Sequence, residues 1–252
     1  MNSILDFSLI ELIFIGLIFI WTGFVRSGLG FGGGALGLPL MLFVYNEPIF
    51  WLPIIGWQLL FFSSITLRTR LKDIDWKFLL QSSLYIVPAA LVGVFGLLTL
   101  PNTWLVIFIY TITLFYALMW LLNRSIHSNK NWIDKILLVL GGYVAGTSLT
   151  GAPLMVAVFM RHVTASKLRN TLFALWFTLV IIKMLTFTVV NVDLHVYSAL
   201  MLLPISAIGH VIGLKTHEFI IQNDLLFKRI IGGILAVISI LGLISISAIK
   251  TH

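Results

Sequence analysis

Apolar residues fill this chain in long runs, and polar residues fall in short clusters between them. A helix needs about 20 apolar residues to cross the ~30 Å hydrocarbon core of a bilayer. Six segments meet that requirement: 50–67, 77–98, 103–122, 168–190, 196–214 and 230–249. Two further apolar stretches, 8–45 and 135–160, are interrupted by small residues. The first break is Ser27-Gly28-Leu29-Gly30-Phe31-Gly32-Gly33-Gly34 and the second is Gly146-Thr147-Ser148-Leu149-Thr150-Gly151-Ala152-Pro153.

The charges between the runs predict how the chain threads a membrane. The segments 68–77, 124–135, 161–169 and 215–229 together hold 13 of the 16 basic residues, whereas the turns 45–48, 99–103 and 191–195 hold none. Lysine and arginine concentrate in cytoplasmic loops, so the basic segments are expected inside and the N-terminus outside. Both ends of 8–45 then lie outside and both ends of 135–160 inside. Each broken stretch is expected to enter and return on one side as a helical hairpin, followed by three spans.

The predicted fold is therefore an all-α integral membrane protein of two inverted repeats. Residues 1–122 form the first, residues 123–134 a cytoplasmic linker and residues 135–252 the second. An ungapped shift supports this by pairing Gly28 with Gly142, Gly32 with Gly146, Gly37 with Gly151 and Pro39-Leu40-Met41 with Pro153-Leu154-Met155. Pro88 and Gly93 match Pro204 and Gly209 at a shift two residues longer.

Composition narrows the function classes. Hydrophobic residues make up 60% and charged residues 10%, against about 25% charged in a soluble domain. The net charge of +7 sits in loop-sized runs, which speaks for lipid headgroups rather than nucleic acid. With no cysteine, disulfides, thiolate metal sites and a cysteine nucleophile are excluded. Residues 1–11 carry Asp6 and Glu11 but lack the basic start of a signal peptide. No metal-ligand spacing or nucleophile elbow is present. The first glycine run follows an apolar helix rather than a strand, so it is not a dinucleotide loop. The expected partners are the bilayer and a small anionic substrate, with no cofactor; a homo-oligomer is compatible with the sequence.

Paired breaks in corresponding positions of two halves point to a transporter binding site. The helix after each break starts with free N–H groups at the positive end of its dipole, which attracts anions. Gly32, Gly33 and Gly34 are expected to line one side of a site, and Thr147, Ser148, Thr150 and Gly151 the other. The competing reading is close helix packing by small residues. Arg26, just before the first break, either supplies a counter-charge or caps carbonyls of the preceding helix. Lys183, seven residues from the external end of its span, reads as snorkelling to the surface. His210 reads as a packing histidine or a proton relay. Gln58, Gln81, Asn170 and Thr171 either line a path or bond other helices. No acidic residue falls in the middle of a span, which favours an anion over a cation.

Thr22-Gly23-Phe24 through Gly32-Gly33-Gly34 and Pro39, the Ile74-Asp75-Trp76 turn, and Gly142 to Pro153 resemble the sulfite exporter TauE/SafE family over nearly the whole chain. The resemblance implies a bacterial inner-membrane transporter of sulfite, sulfonates or related small anions, with the hydroxyls of the second break as a departure. The alternative is a membrane-embedded binding or accessory protein without flux.

The threading makes a direct prediction. A cysteine placed at Asn129, in a chain with no native cysteine, is expected to resist an impermeant thiol reagent in intact cells and to react after permeabilisation. Labelling in intact cells would reverse the topology.

Overall fold

Polar side chains serve the free N–H groups of the first turn in the helices that begin at Leu9 and Trp76. Ser8 and Glu11 form a capping box, with the Glu11 carboxylate accepting from Ser8 N–H at 2.8 Å and Ser8 Oγ accepting from Glu11 N–H at 3.4 Å. Asp75 accepts from Phe78 N–H at 3.0 Å, and its own N–H donates to Thr171 Oγ1 at 3.0 Å. The Ile74-Asp75-Trp76 turn thus starts one helix and ties it to another.

The computed structural model describes residues 3–29, 33–124 and 126–249, and its regular elements are all helical. They are α1 (Leu9–Leu29), α2 (Gly33–Val44), α3 (Pro48–Arg68), α4 (Trp76–Thr99), α5 (Asn102–Leu121), α6 (Asn131–Ser148), α7 (Ala152–His162), α8 (Ala165–Val189), α9 (Val196–Gln222) and α10 (Asp224–Ile249), with single 3-10 turns at Ile4–Asp6 and Leu71–Asp73. Seven helices among the described residues are long and apolar enough to cross a membrane: α1, α3, α4, α5, α8, α9 and α10. The basic segment 215–229 is not the loop its charges suggest. Helices α9 and α10 run through it with a break only at Asn223, because lysine, arginine and glutamine are good helix formers.

Two compact units emerge, each assembled from distant parts of the chain. The first comprises Met1–Trp51, Leu100–Ser125 and His195–His252; the second comprises Leu52–Thr99 and Ile126–Leu194. In the first unit α1 packs along α9 and α5 along α10. The α1–α9 contact depends on absent side chains: a β-carbon at Gly23 would collide with Ser206 O, and one at Gly209 with Ile20 O. Tyr110 Oη donates to Pro39 O at 3.2 Å, tying α5 to α2, and the Tyr110 ring lies where a side chain on Gly242 would stand.

In the second unit α6 lies along α4. A β-carbon at Gly142 would strike Ile86 O, one at Gly146 would strike Ala90 O, and one at Gly93 would strike Tyr143 O. α7 folds back on α6, with Gly151 against Gly141 O and Ala145. A core of Ile86, Ala90, Leu138, Ala145, Met155, Val158, Phe159, Leu172, Leu175 and Leu179 joins α4, α6, α7 and α8. Large apolar side chains such as Leu84, Phe95, Leu185, Leu200 and Ile244 remain exposed on the spans, as lipid-facing surfaces require.

These contacts order the glycines by cost. Gly146→Val and Gly209→Val are expected to destabilise by about 1–3 kcal/mol or more through overpacking, and to lower the yield of monodisperse protein sharply. Gly16→Ala, whose β-carbon meets nothing within 4 Å, is expected to leave yield and melting temperature unchanged or slightly raised. Equal tolerance at all three positions would remove the close-packing account.

Candidate functional site

The predicted site residues fall into two groups, one in each unit. In the second unit the chain leaves α6 at Ser148, passes through Leu149, Thr150 and Gly151, and enters α7 at Ala152. Leu149 adopts a left-handed conformation, φ 61°, and its N–H bonds Ala145 O at 3.0 Å. A leucine there costs roughly 1–2 kcal/mol relative to the right-handed region, so surrounding structure holds the turn. Strain of this kind clusters at binding sites.

Thr147, Ser148 and Thr150 are all buried here, each at most 1% exposed, but their hydroxyls are partly committed. Thr147 Oγ1 donates within reach of Tyr143 O at 2.9 Å and Gly93 O at 3.2 Å. Ser148 Oγ is 3.1 Å from Val144 O and 2.5 Å from Thr150 Oγ1. A hydroxyl has one proton to donate. Thr147 therefore serves the backbone of α4 and α6. The Ser148–Thr150 pair can release one donor, at Thr150, when Ser148 donates to Thr150. With Ser148 donating to Val144 O, Thr150 donates to Ser148 and no proton is left over; Thr150 is released only when Ser148 turns from Val144 O to Thr150. At the start of α7, Ala152 and Leu154 carry N–H groups with no carbonyl one turn earlier in the helix, while Pro153 has none.

In the first unit Arg26 is 5% exposed, in the last turn of α1. Its charge suits the negative end of the helix dipole there. Ser27 Oγ lies 2.9 Å from both Gly23 O and His210 O, which sets His210 of α9 beside the end of α1. His217, not singled out from the sequence, places Nδ1 2.6 Å from Gly28 O. A carbonyl can only accept, so Nδ1 carries the proton and caps one of the last carbonyls of α1. Its position seven residues after His210, two helical turns along α9, was the available signal. Gly33 and Gly34 are the first residues of α2. Gly32 lies outside the described residues.

Lys183 departs from its predicted role. It does not snorkel: it is 2% exposed and its Nζ has no hydrogen-bond partner. Its helix turns it inward with Leu172, Leu175, Leu179 and Phe187, all buried on the same stripe of α8. Thr171 bonds across helices, as described for Asp75. Gln58 is buried and Gln81 exposed. No group of three His, Asp or Glu side chains among the described residues is arranged to hold a metal.

At the opposite end of the α6–α7 pair, Asp134 accepts from Arg161 at 2.7 Å and pairs with His162 at 2.8 Å; Ser128 Oγ also donates to it. Arg161 further donates to Asn131 at 3.1 Å, and the His162 ring stacks on Phe78. Burial pushes the Asp134 carboxyl up, but the hydrogen bonds from Ser128 and His162 and the charges of Arg161 and His162 outweigh it and hold it below the usual value. This cluster clamps the two helices at the base opposite their connecting turn.

The model of the sulfite exporter TauE/SafE family matches residues 15–241. The chain belongs to that family, and it is a multi-pass membrane protein of a transporter family. No curated protein and no solved structure matches it significantly.

The clamp has a pH signature. A carboxyl with a depressed folded-state pKa stabilises above its unfolded value, ~4, and loses that contribution as pH falls through the folded value. Asp134→Asn is expected to lower the melting temperature at pH 7 by the equivalent of about 1.5–3 kcal/mol, the scale of hydrogen bonds to a charged group. The difference from the parent protein should shrink below pH ~4. A difference that is flat from pH 7 to pH 3 would show that the charge is not what clamps.

Proposed function

We propose that the protein exports small oxyanions, sulfite or short sulfonates, across the bacterial inner membrane by alternating access. The observation that carries this reading is the turn 148–151 in the second unit. There a helix starts inside packed protein, with free N–H groups, a glycine at its N-cap and a Ser148–Thr150 hydroxyl pair that releases the Thr150 proton when Ser148 turns to donate to Thr150. Irregular backbone at membrane depth is tolerated where protein or a water-filled cavity surrounds it, and a helix start offers its dipole to an anion. Gly151, packed against Gly141 O and Ala145, lets α7 start close against the end of α6.

The two halves are read as inverted repeats, with α1–α2 and α6–α7 as re-entrant hairpins. The helix contacts support a specific register. Gly146 meets Ala90 and Gly93 meets Tyr143 in one unit, as Gly23 meets Ser206 and Gly209 meets Ile20 in the other. Gly23, rather than Gly32, is then the counterpart of Gly146, while Gly37 keeps Gly151 as its counterpart. On this register the first hairpin has nine more residues around its break than the second, among them Arg26. Arginine presents a planar fork suited to two oxygens of one ligand, so Arg26 is assigned to anion contact, with Gly33 and Gly34 opening the start of α2. His210, beside the end of α1, is the candidate for proton coupling.

No carboxylate lies within the central part of a span to repel an anion. An inside-negative potential contributes about 2.3 kcal/mol per charge per 100 mV and drives an anion outward, so export can run on voltage.

Proteoliposomes containing only this protein, with an imposed potential, test the reading. Sulfite or sulfoacetate flux is expected to exceed sulfate and chloride, and sodium is expected not to move. Arg26→Gln should reduce anion flux at least tenfold and Arg26→Lys less. Selective sodium flux, or unchanged anion flux and affinity in Arg26→Gln, would overturn the Arg-assisted anion mechanism.

A further inference from the structure

Lys183 is an ionisable side chain enclosed in protein: 2% exposed, with no hydrogen-bond partner for its Nζ. An unpaired buried charge is costly, and an ionisable group inside a membrane helix is a functional candidate with a partner to be named. The surroundings offer no carboxylate. Between Leu52 and Leu194 the acidic residues are Asp73, Asp75, Asp134 and Asp193. Asp73 pairs with Arg70, Asp75 caps α4, Asp134 is held at the base of α6, and Asp193 follows the end of α8.

Helical phase fixes which face of α8 carries Lys183. Leu172, Leu175, Leu179 and Lys183 lie on one stripe, and the three leucines belong to the same packed core as Ala145 and Met155. Side chains on a helix lean toward its N-terminus and cover the preceding turn. The Lys183 chain therefore runs back over Leu179. Leu179 shares its core with Ala145, whose carbonyl bonds Leu149 in the strained turn and whose side chain packs on Gly151. Met155 closes the first turn of α7, its N–H directed at Gly151 O at 3.5 Å. The stripe of α8 that carries Lys183 therefore faces the core that holds the turn 148–151 and the start of α7.

We propose that Lys183 is an anion-binding residue of the second unit, its ammonium neutralising an oxyanion held by the start of α7. The assignment rests on the transport reading above and adds the charge that the turn itself lacks. The chemistry is complementary. Ala152 N–H, Leu154 N–H and Thr150 Oγ1 are directional donors for separate oxygens. The ammonium brings three further protons and a full positive charge on a flexible stem. Pro153 withdraws the donor that would stand between Ala152 and Leu154, which leaves the charge to come from elsewhere. An oxyanion with at least three acceptor atoms uses this set; chloride uses it less well.

The test compares the parent protein with Lys183→Met, Lys183→Gln and Lys183→Arg in two assays. One is the melting temperature of ligand-free purified protein. The other is potential-driven flux of inorganic sulfite, sulfate and chloride in proteoliposomes. Lys183→Met is expected to be as stable as the parent or more so when ligand-free, because a buried polar group without a partner is gone. Its half-saturating sulfite concentration should rise at least tenfold, with Lys183→Arg closer to the parent. Unchanged sulfite saturation and flux in Lys183→Met, beside active parent protein, overturns the assignment and leaves the transport reading standing. A ligand-free melting temperature well below the parent in both Lys183→Met and Lys183→Gln, or failure of both to fold, also overturns it, since the lysine would then be a structural partner. A parent protein that moves none of the three anions overturns the transport reading and the assignment with it.

Discussion

A peptide group in hydrocarbon has no water to bond, and each unsatisfied N–H or C=O costs several kcal/mol. That constraint organises the molecule. It makes the regular structure helical, and it makes any helix end away from the membrane surface a problem to be solved locally. At the end of α6 the solution is a left-handed Leu149 that returns its N–H to Ala145 O, with Ser148 and Thr147 covering the carbonyls of the previous turn. At the end of α1, His217 bonds Gly28 O. What remains open is the set of N–H groups at the start of α7, and an open donor inside protein is available to a ligand.

Holding such a turn in place demands rigid neighbours, and here glycine provides the rigidity. Gly142, Gly146 and Gly93 let the backbones of α4 and α6 approach until no side chain fits between them. Close backbone contact is favourable in membranes, where van der Waals packing and interhelical hydrogen bonds replace the hydrophobic effect as the force between helices. The same contact lets Thr147 reach across to Gly93 O. The two readings weighed for the second small-residue run therefore divide it by position. Gly146, Thr147 and Gly151 pack and bond helices, whereas Thr150 and the start of α7 face the functional question.

Much of this was legible in the residues. Run length predicts long helices close to those observed, because hydrocarbon thickness acts on composition alone; the placement of basic residues misses the helical course of 215–229. The break at 149–151 is announced by its small and hydroxylated residues. Hydrogen-bond commitment is not legible in the same way: Ser148 and Thr147 look like ligand donors until the carbonyls of Val144, Tyr143 and Gly93 are placed. The clamp at Asp134 escaped because it joins residues 27 and 28 positions apart that look like ordinary loop charges. The inward position of Lys183 follows from helical phase, not from its distance to the end of the span. Its place in register with Leu172, Leu175 and Leu179 was already in the sequence.

Magnitudes decide how an anion would be held at the second turn. A helix start contributes typically ~0.3–1 kcal/mol, reaching ~2 in partly buried settings, and Pro153 has removed one of its donors. Two unit charges 4 Å apart interact by about 4 kcal/mol at an effective dielectric constant of 20. A fixed cation therefore outweighs the dipole, and the dipole's role becomes directional, selecting oxygens at particular positions rather than supplying most of the attraction. Loss of the ligand's own hydration offsets part of that attraction. The remainder is the moderate affinity a carrier needs, since an anion bound too tightly would not leave on the far side.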